Sequence, residues 1–188
     1  MNLFPNNNYI TRLITIGGLQ KDELIDQLKQ HSISLNQYAE QLLVDLHFSV
    51  SKIEKRLMTV ELAVKDLGFL EGATTDRIYH KAMGLGLTLC PLEVAPHFRL
   101  LYLDQPEMIS TTKNKAPAGS ITIASQPLKR DDTFPKGFYV RKIDGVLWLR
   151  GYVADEAHIW MGKTDFCSFN NQKQVSSSSL LTCFFILR

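Results

Sequence analysis

Gly137-Phe-Tyr-Val-Arg-Lys-Ile-Asp-Gly-Val-Leu-Trp-Leu-Arg-Gly-Tyr152 contains two strand-like runs on either side of the dipeptide Asp144-Gly145. An Asp-Gly pair in this setting predicts a tight β-hairpin, because both turn residues must adopt positive φ. A turn of two residues places Ile143 opposite Val146. The stretch therefore predicts an antiparallel pair of strands, and it fixes which side chains share a face.

The two faces of this predicted hairpin differ in chemistry. One is apolar and is expected to pack on a core; it carries Phe138, Val140, Leu147 and Leu149. The other carries Tyr139, Arg141, Trp148 and Arg150 and is called the Arg/aromatic face below. A guanidinium group over an aromatic ring gains about 0.5–1 kcal/mol at an exposed site, which would make the face a structural ladder. Trp, Tyr and Arg also anchor protein interfaces and single-stranded nucleic acid, which would make it a binding surface.

Composition places the chain among ordinary globular proteins. Of its 188 residues, 45% are hydrophobic and 21% are charged, which predicts a single domain. Within it we expect a helical part at about 18–50, an α+β part at about 55–160 and a divergent tail at about 161–188. The net charge of +2 gives no strong electrostatic footprint for nucleic acid.

The sequence shows neither a secretion signal nor an apolar run long enough to span a membrane. Its three cysteines have no CxxC spacing, which is typical of reduced thiols. We therefore expect a cytoplasmic protein that does not associate with a membrane.

Hydrophobic periodicity predicts the remaining elements. Helices are expected at about 20–31, from a capping box at Ser34, and after Thr74 or Thr75. Strands are expected at 59–64, 97–103 and 120–124, with an extended linker between Pro91 and Pro96 and a loop at 104–119. The expected fold is α+β, with amino-terminal helices and an antiparallel β-meander that ends in the Asp-Gly hairpin.

Four further motifs in the sequence are specific enough to compare with known protein families. They are Val60-Glu-Leu-Ala-Val64, Leu89-Cys-Pro-Leu-Glu-Val94, Gly119-Ser-Ile-Thr-Ile-Ala-Ser125 and Phe134-Pro-Lys-Gly-Phe-Tyr139. Together with the hairpin, they resemble a small family of uncharacterised bacterial proteins, over about residues 17–160. The resemblance implies no known activity, although some members carry the label "helicase". Residues 180–187 fall in the divergent tail and are long enough for an extra edge strand or an aggregation-prone segment.

The helicase label requires a nucleotide-binding motor core. Ala157-His-Ile-Trp-Met-Gly-Lys-Thr164 loosely fits a phosphate loop, with Ala in place of the first Gly. Residues 165–188 leave no room for the rest of a nucleotide-binding domain. The sequence therefore does not predict a helicase.

The leading hypothesis is a non-enzymatic binding or interaction protein that uses the Arg/aromatic face. Arg99 and Tyr102 are expected to extend this face from the predicted strand at 97–103. The expected partner is a protein, and nucleic acid is a weakly supported special case. A structural module, such as a regulatory subunit or a dimer paired through sheet edges, is a third class, and the oligomeric state stays open.

The competing hypothesis is a hydrolase- or transferase-like enzyme with a site near Cys90, His97 and Asp104. Cys90 and His97 would form a thiolate–imidazole pair oriented by Glu93, although the apolar run around Cys90 favours a buried, inert thiol. No cofactor is predicted. No metal site is predicted either, because no His or Cys partner lies at metal-site spacing from His158.

Overall fold

The computed structural model describes residues 9–107 and 119–161, and the backbone of 166–168, 181–182 and 184–187. The helices are α1 (Lys21–Gln30), α2 (Gln37–Val44), α3 (Thr75–Gly84) and α4 (Val94–Leu101). The strands are β1 (Ile10–Ile16), β2 (Ser34–Leu35), β3 (Lys55–Leu62), β4 (Ala73–Thr74), β5 (Ile121–Ala124), β6 (Gly137–Ile143), β7 (Val146–Tyr152), β8 (Ile159–Trp160), β9 (Phe166–Ser168), β10 (Leu181–Thr182) and β11 (Phe184–Leu187). A 3-10 helix covers Val64–Leu67. This combination confirms the α+β class.

One large sheet has the strand order β1-β3-β9-β11-β5-β6-β7-β2, and β4 and β8 form a small second sheet. Most neighbouring strands are antiparallel, but β2 runs parallel to β7, and β10 and β11 run parallel to β3. Strand β11 also pairs with β5, so it lies inside the sheet. The expectation of an edge strand at 180–187 is therefore wrong, because β11 has neighbours on both sides.

Strands β6 and β7 are antiparallel and are joined at Asp144 and Gly145, whose φ angles are 49° and 76°. Their register pairs Ile143 with Val146, Arg141 with Trp148, and Tyr139 with Arg150. The carboxylate of Glu107 accepts hydrogen bonds from both turn amides, at 2.9 Å for the nitrogen of Gly145. A side chain from outside the hairpin thus holds its turn.

Hydrophobic clusters lie on both faces of the large sheet. The first contains residues of α1, α2 and α4 and reaches the sheet at Phe138, Val140 and Leu149. The second contains residues of α3 and the 3-10 helix, and it includes Tyr152 and Trp160. Since side chains alternate along a strand, the Arg/aromatic face is on the side of the second cluster.

Asn36 begins α2 and joins it to β7. Its Oδ1 accepts hydrogen bonds from the nitrogens of Ala39, at 3.0 Å, and Gly151, at 2.8 Å. Its Nδ2 donates to the carbonyl oxygen of Gly151 at 3.0 Å. The predicted capping box at Ser34 is wrong, because Ser34 lies in β2 and the side chain of Asn36 caps the helix.

Two further expectations about element order are wrong. Strand β1 precedes the helices, so the described chain does not begin with them. The region 97–103, expected to be a strand, belongs mostly to α4, because Val94, Ala95 and Phe98 form a buried helical stripe. Pro96 lies in the first turn of this helix, not at the end of a linker, and amides in a first turn have no partner within the helix.

Several predicted features lie outside the described residues. They are most of the expected loop, at 108–118, the Gly162-Lys163-Thr164 part of the phosphate-loop pattern, and Cys183. Among the residues that are described, no helix combines the length and hydropathy needed to cross a membrane.

Candidate functional site

Four of the predicted site residues come together on β6 and β7. The Cζ of Arg150 lies 4.9 Å from the ring centroid of Trp148, and its Nε donates a hydrogen bond to the hydroxyl of Tyr139 at 2.7 Å. Arg141 lies directly opposite Trp148. All four side chains are half-buried. Arg150 thus contacts both aromatic side chains, and the Arg/aromatic face is still accessible to solvent.

Arg141 is the residue of this face with unused hydrogen-bonding capacity. Its Nε is buried and has no hydrogen-bond partner. Burial lowers the pKa of Arg141, and the positive charge of Arg150 acts in the same direction, whereas Glu107 and Asp144 oppose them. Within the described part of the chain, neither guanidinium group forms a salt bridge with a carboxylate.

Arg99 and Tyr102 do not lie on a strand beside this face. Arg99 belongs to α4 and is 0% exposed, and its guanidinium donates to Oε1 of Gln105 and to the carbonyl oxygen of Tyr102. Burial lowers the pKa of Arg99 to about 10. The ring of Tyr102 lies under Arg12, with 4.3 Å between the guanidinium carbon and the ring centroid. The predicted placement is wrong because α4 packs on the first cluster, on the opposite side of the sheet.

The residues of the enzyme hypothesis contact different segments. The backbone of Cys90 bridges to Ser125, and its side chain is 4% exposed. The carboxylate of Glu93 accepts a hydrogen bond from the nitrogen of Ser51 at 2.9 Å and another from its hydroxyl. The Nε2 of His97 lies 3.2 Å from the nitrogen of Gly17, which donates to it. Glu93 and His97 therefore hold loops against α4.

His97 is expected to make the fold sensitive to acid. Burial lowers the pKa of His97 below its ordinary value of 6.5, and the charge of Glu93 opposes this only in part. The unfolded chain therefore binds a proton first, so stability is lost as pH falls from about 6.5 towards the lower folded-state pKa. We expect His97→Gln, which keeps an acceptor for Gly17, to flatten the pH dependence of the unfolding free energy between about pH 7 and pH 5. Urea titrations at several pH values measure this, and an equally steep dependence in the variant would contradict it.

A cleft of about 920 Å³ opens between α3 and the loops that follow β5 and β7. Tyr79, Ser125 and Tyr152 line it, and each is less than 10% exposed. Burial raises the pKa of Tyr79 well above its ordinary value, and its hydroxyl interacts with the backbone of Ser125 and the hydroxyl of Tyr152. This hydroxyl-lined part of the cleft, called the floor below, therefore carries no charge at neutral pH.

The rest of the cleft combines apolar walls with charges of both signs. The apolar walls include Met83, Pro127 and Ala154. The charged residues are Asp76, Arg77, Lys81, Arg130, Asp132, Lys136, Asp155 and Glu156. Lys136 pairs with Asp132 at 3.0 Å, and the guanidinium of Arg77 lies 5.2 Å from the ring centroid of Phe69. The lining therefore carries four residues of each sign and has no dominant charge.

No pattern in the sequence predicts this cleft. Tyr79, Ser125 and Tyr152 come from three separate segments, and no spacing or periodicity links them. Their burial depends on how α3 packs on the sheet. Elsewhere in the described residues, no three His, Cys, Asp or Glu side chains converge as metal ligands would.

No family model matches this chain, and no curated protein and no solved structure matches it. The resemblance to a bacterial family, with its helicase label, therefore stays an expectation. A function has to be inferred from the geometry of the two sites.

Proposed function

We propose that this chain is a non-enzymatic interaction protein of the bacterial cytoplasm, and that its Arg/aromatic face binds an acidic segment of a partner protein. The observation that carries the proposal is the unpartnered, buried Nε of Arg141. A buried donor without an acceptor costs about 1–3 kcal/mol, and a partner carboxylate would recover this cost. The positive charge of Arg150 repels that of Arg141. A negative group bound between them would relieve this repulsion, so Arg150 also favours an acidic ligand.

A protein partner fits the charges better than nucleic acid does. The chain has a net charge of only +2, whereas nucleic-acid-binding domains usually carry a clear basic surface. Glu107 and Asp144 lie at the turn of the same hairpin, and they would repel a run of phosphates more strongly than a single carboxylate. Tyr139 and Trp148 supply the aromatic anchors that are common at protein interfaces.

Binding can be tested with labelled peptides of defined charge. We expect a peptide of alternating Glu and Phe to bind the wild-type protein and a Lys–Phe peptide of equal length to bind at least about tenfold more weakly, a difference of about 1.4 kcal/mol. Replacing both Arg141 and Arg150 by Gln should weaken binding of the Glu–Phe peptide by a similar factor. Fluorescence polarisation at low and high salt measures both effects.

Lys142→Gln is the matched control for this experiment. Lys142 is next to Arg141 in β6 but points to the opposite face, so removing its charge should leave peptide binding unchanged. Equal binding of both peptides, or an equal loss in the Lys142 variant, would refute the proposal. Tighter, steeply salt-dependent binding of an oligothymidine would favour a nucleic-acid partner instead.

A further inference from the structure

We propose that the cleft between α3 and the loops after β5 and β7 binds a small, mostly apolar molecule whose inner end is an uncharged carbonyl group. The cleft lies on the same side of the sheet as the Arg/aromatic face, but no residue of that face lines it, so this proposal does not depend on the other. Its volume of about 920 Å³ is within the range of small-molecule pockets, about 300–1,000 Å³.

Ser125 is the first reason to expect a ligand. Ser125 lines the cleft and is 2% exposed, and its Oγ is buried with no hydrogen-bond partner. A buried hydroxyl in this state destabilises the free protein, and such groups are few in native structures. A carbonyl oxygen placed over the floor would accept the hydrogen bond that Ser125 lacks.

Gly137 is the second reason, because it leaves space beside this hydroxyl. A β carbon at position 137 would lie 3.3 Å from the Oγ of Ser125 and 3.3 Å from the hydroxyl oxygen of Tyr152. Such contacts are tighter than ordinary van der Waals distances. Any other residue at the start of β6 would therefore crowd the two hydroxyl groups.

The surroundings of the floor determine the kind of group that it accepts. Tyr79, Tyr152 and Ser125 provide hydroxyl groups but no charge, and all three are buried. A charged ligand group at the floor would lose its water among uncharged hydroxyl groups, whereas a neutral carbonyl needs only the hydrogen bond. Met83, Pro127 and Ala154 offer apolar contact to the rest of the ligand.

Three probes with the same ring and different head groups test whether the floor prefers a neutral carbonyl to a charged group. They are benzamide, which is neutral, benzoate, which is negative, and benzylammonium, which is positive. We expect benzamide to bind saturably at millimolar concentration and to shift the NMR amide signals of Ser125 and Tyr152. Benzoate and benzylammonium should bind at least about tenfold more weakly, because their charges must be desolvated.

Ser125→Ala and Thr122→Val form a matched pair of variants. Thr122 in β5 also has a buried hydroxyl without a partner, but it does not line the cleft. Ser125→Ala should weaken benzamide binding about tenfold, and Thr122→Val should leave it unchanged; both should keep or raise Tm, since each removes an unsatisfied group. Gly137→Ala, with folding checked by circular dichroism, should also weaken binding.

Full binding of benzamide by the Ser125 and Gly137 variants would overturn the proposal. Tighter binding of either charged probe would overturn it as well, as would the absence of saturable benzamide binding. The double Gln variant of Arg141 and Arg150 should retain benzamide binding. A failure of the peptide experiment is therefore distinguishable from a failure of this one.

Discussion

Replacing Gly151 by Ala is expected to lower the free energy of unfolding by about 3 kcal/mol, the upper end of the usual range for overpacking. A β carbon at this position would lie 2.6 Å from the carbonyl carbon of Tyr38 and 2.7 Å from the nitrogen of Ala39. Both atoms belong to the backbone of α2 and cannot rotate away. The helix would have to move off β7, and the two hydrogen bonds between Asn36 and Gly151 would be lost.

Gly84→Ala is the control for this substitution. Gly84 ends α3, and apart from its chain neighbours and the backbone of its own helix, no atom lies within 4 Å of the position that its β carbon would take. Because Ala is the better helix former, we expect stability to stay the same or to rise by up to about 1 kcal/mol. Urea unfolding followed by circular dichroism measures both variants. A loss below about 1 kcal/mol for Gly151→Ala would disagree with the close packing of α2 on β7.

Arg99→Ala is also expected to lower the free energy of unfolding, by about 3 kcal/mol or more. The substitution leaves a cavity where the buried side chain packed beside α4, and it removes the hydrogen-bond donors for Gln105 and for the carbonyl oxygen of Tyr102. Gln105 in turn donates to the carbonyl oxygen of Gly119 at 2.8 Å, so the loss spreads to the segment that leads into β5. Denaturant titration gives the change in unfolding free energy.

Arg150→Ala provides the comparison, since it removes the same side chain from the half-buried Arg/aromatic face. It loses one hydrogen bond and two cation–π contacts, with the rings of Trp148 and Tyr139, so we expect a cost of about 1–2 kcal/mol. A cost equal to that of Arg99→Ala would mean that the Arg/aromatic face is mainly a structural ladder. That result would weaken the proposal that the face binds a partner.

Local signals in the sequence account for much of the secondary structure. Periodicity predicts a helix at about 20–31, where α1 covers Lys21–Gln30, and a strand at 120–124, where β5 covers Ile121–Ala124. Helix α4 is different, because Phe98, Leu100 and Tyr102 alternate as in a strand, whereas Val94, Ala95 and Phe98 are spaced as on one side of a helix. Packing of α4 against β1 and β6 decides between the two, and this packing involves residues far away in the chain.

The candidate sites also divide into features that local sequence predicts and features that depend on packing between distant residues. The alternation of side chains along a strand is a local property, and it is enough to group Tyr139 with Arg141 and Trp148 with Arg150. The burial of Arg99 and the floor of the cleft depend on distant partners. For Ser125, the deciding fact is that no acceptor reaches its hydroxyl, and a sequence alone carries no information on such an absence.

The side chain of Asn36 also occupies part of the edge of β7. Strand β2 covers β7 over only two residues, Ser34 and Leu35. Beyond them, the amide of Asn36 offers one donor and one acceptor to the backbone of Gly151, as a peptide group of a neighbouring strand would. An uncovered strand edge acts as a template for a strand from another molecule. A single side chain therefore completes the ladder at this edge and leaves less of it open to intermolecular pairing.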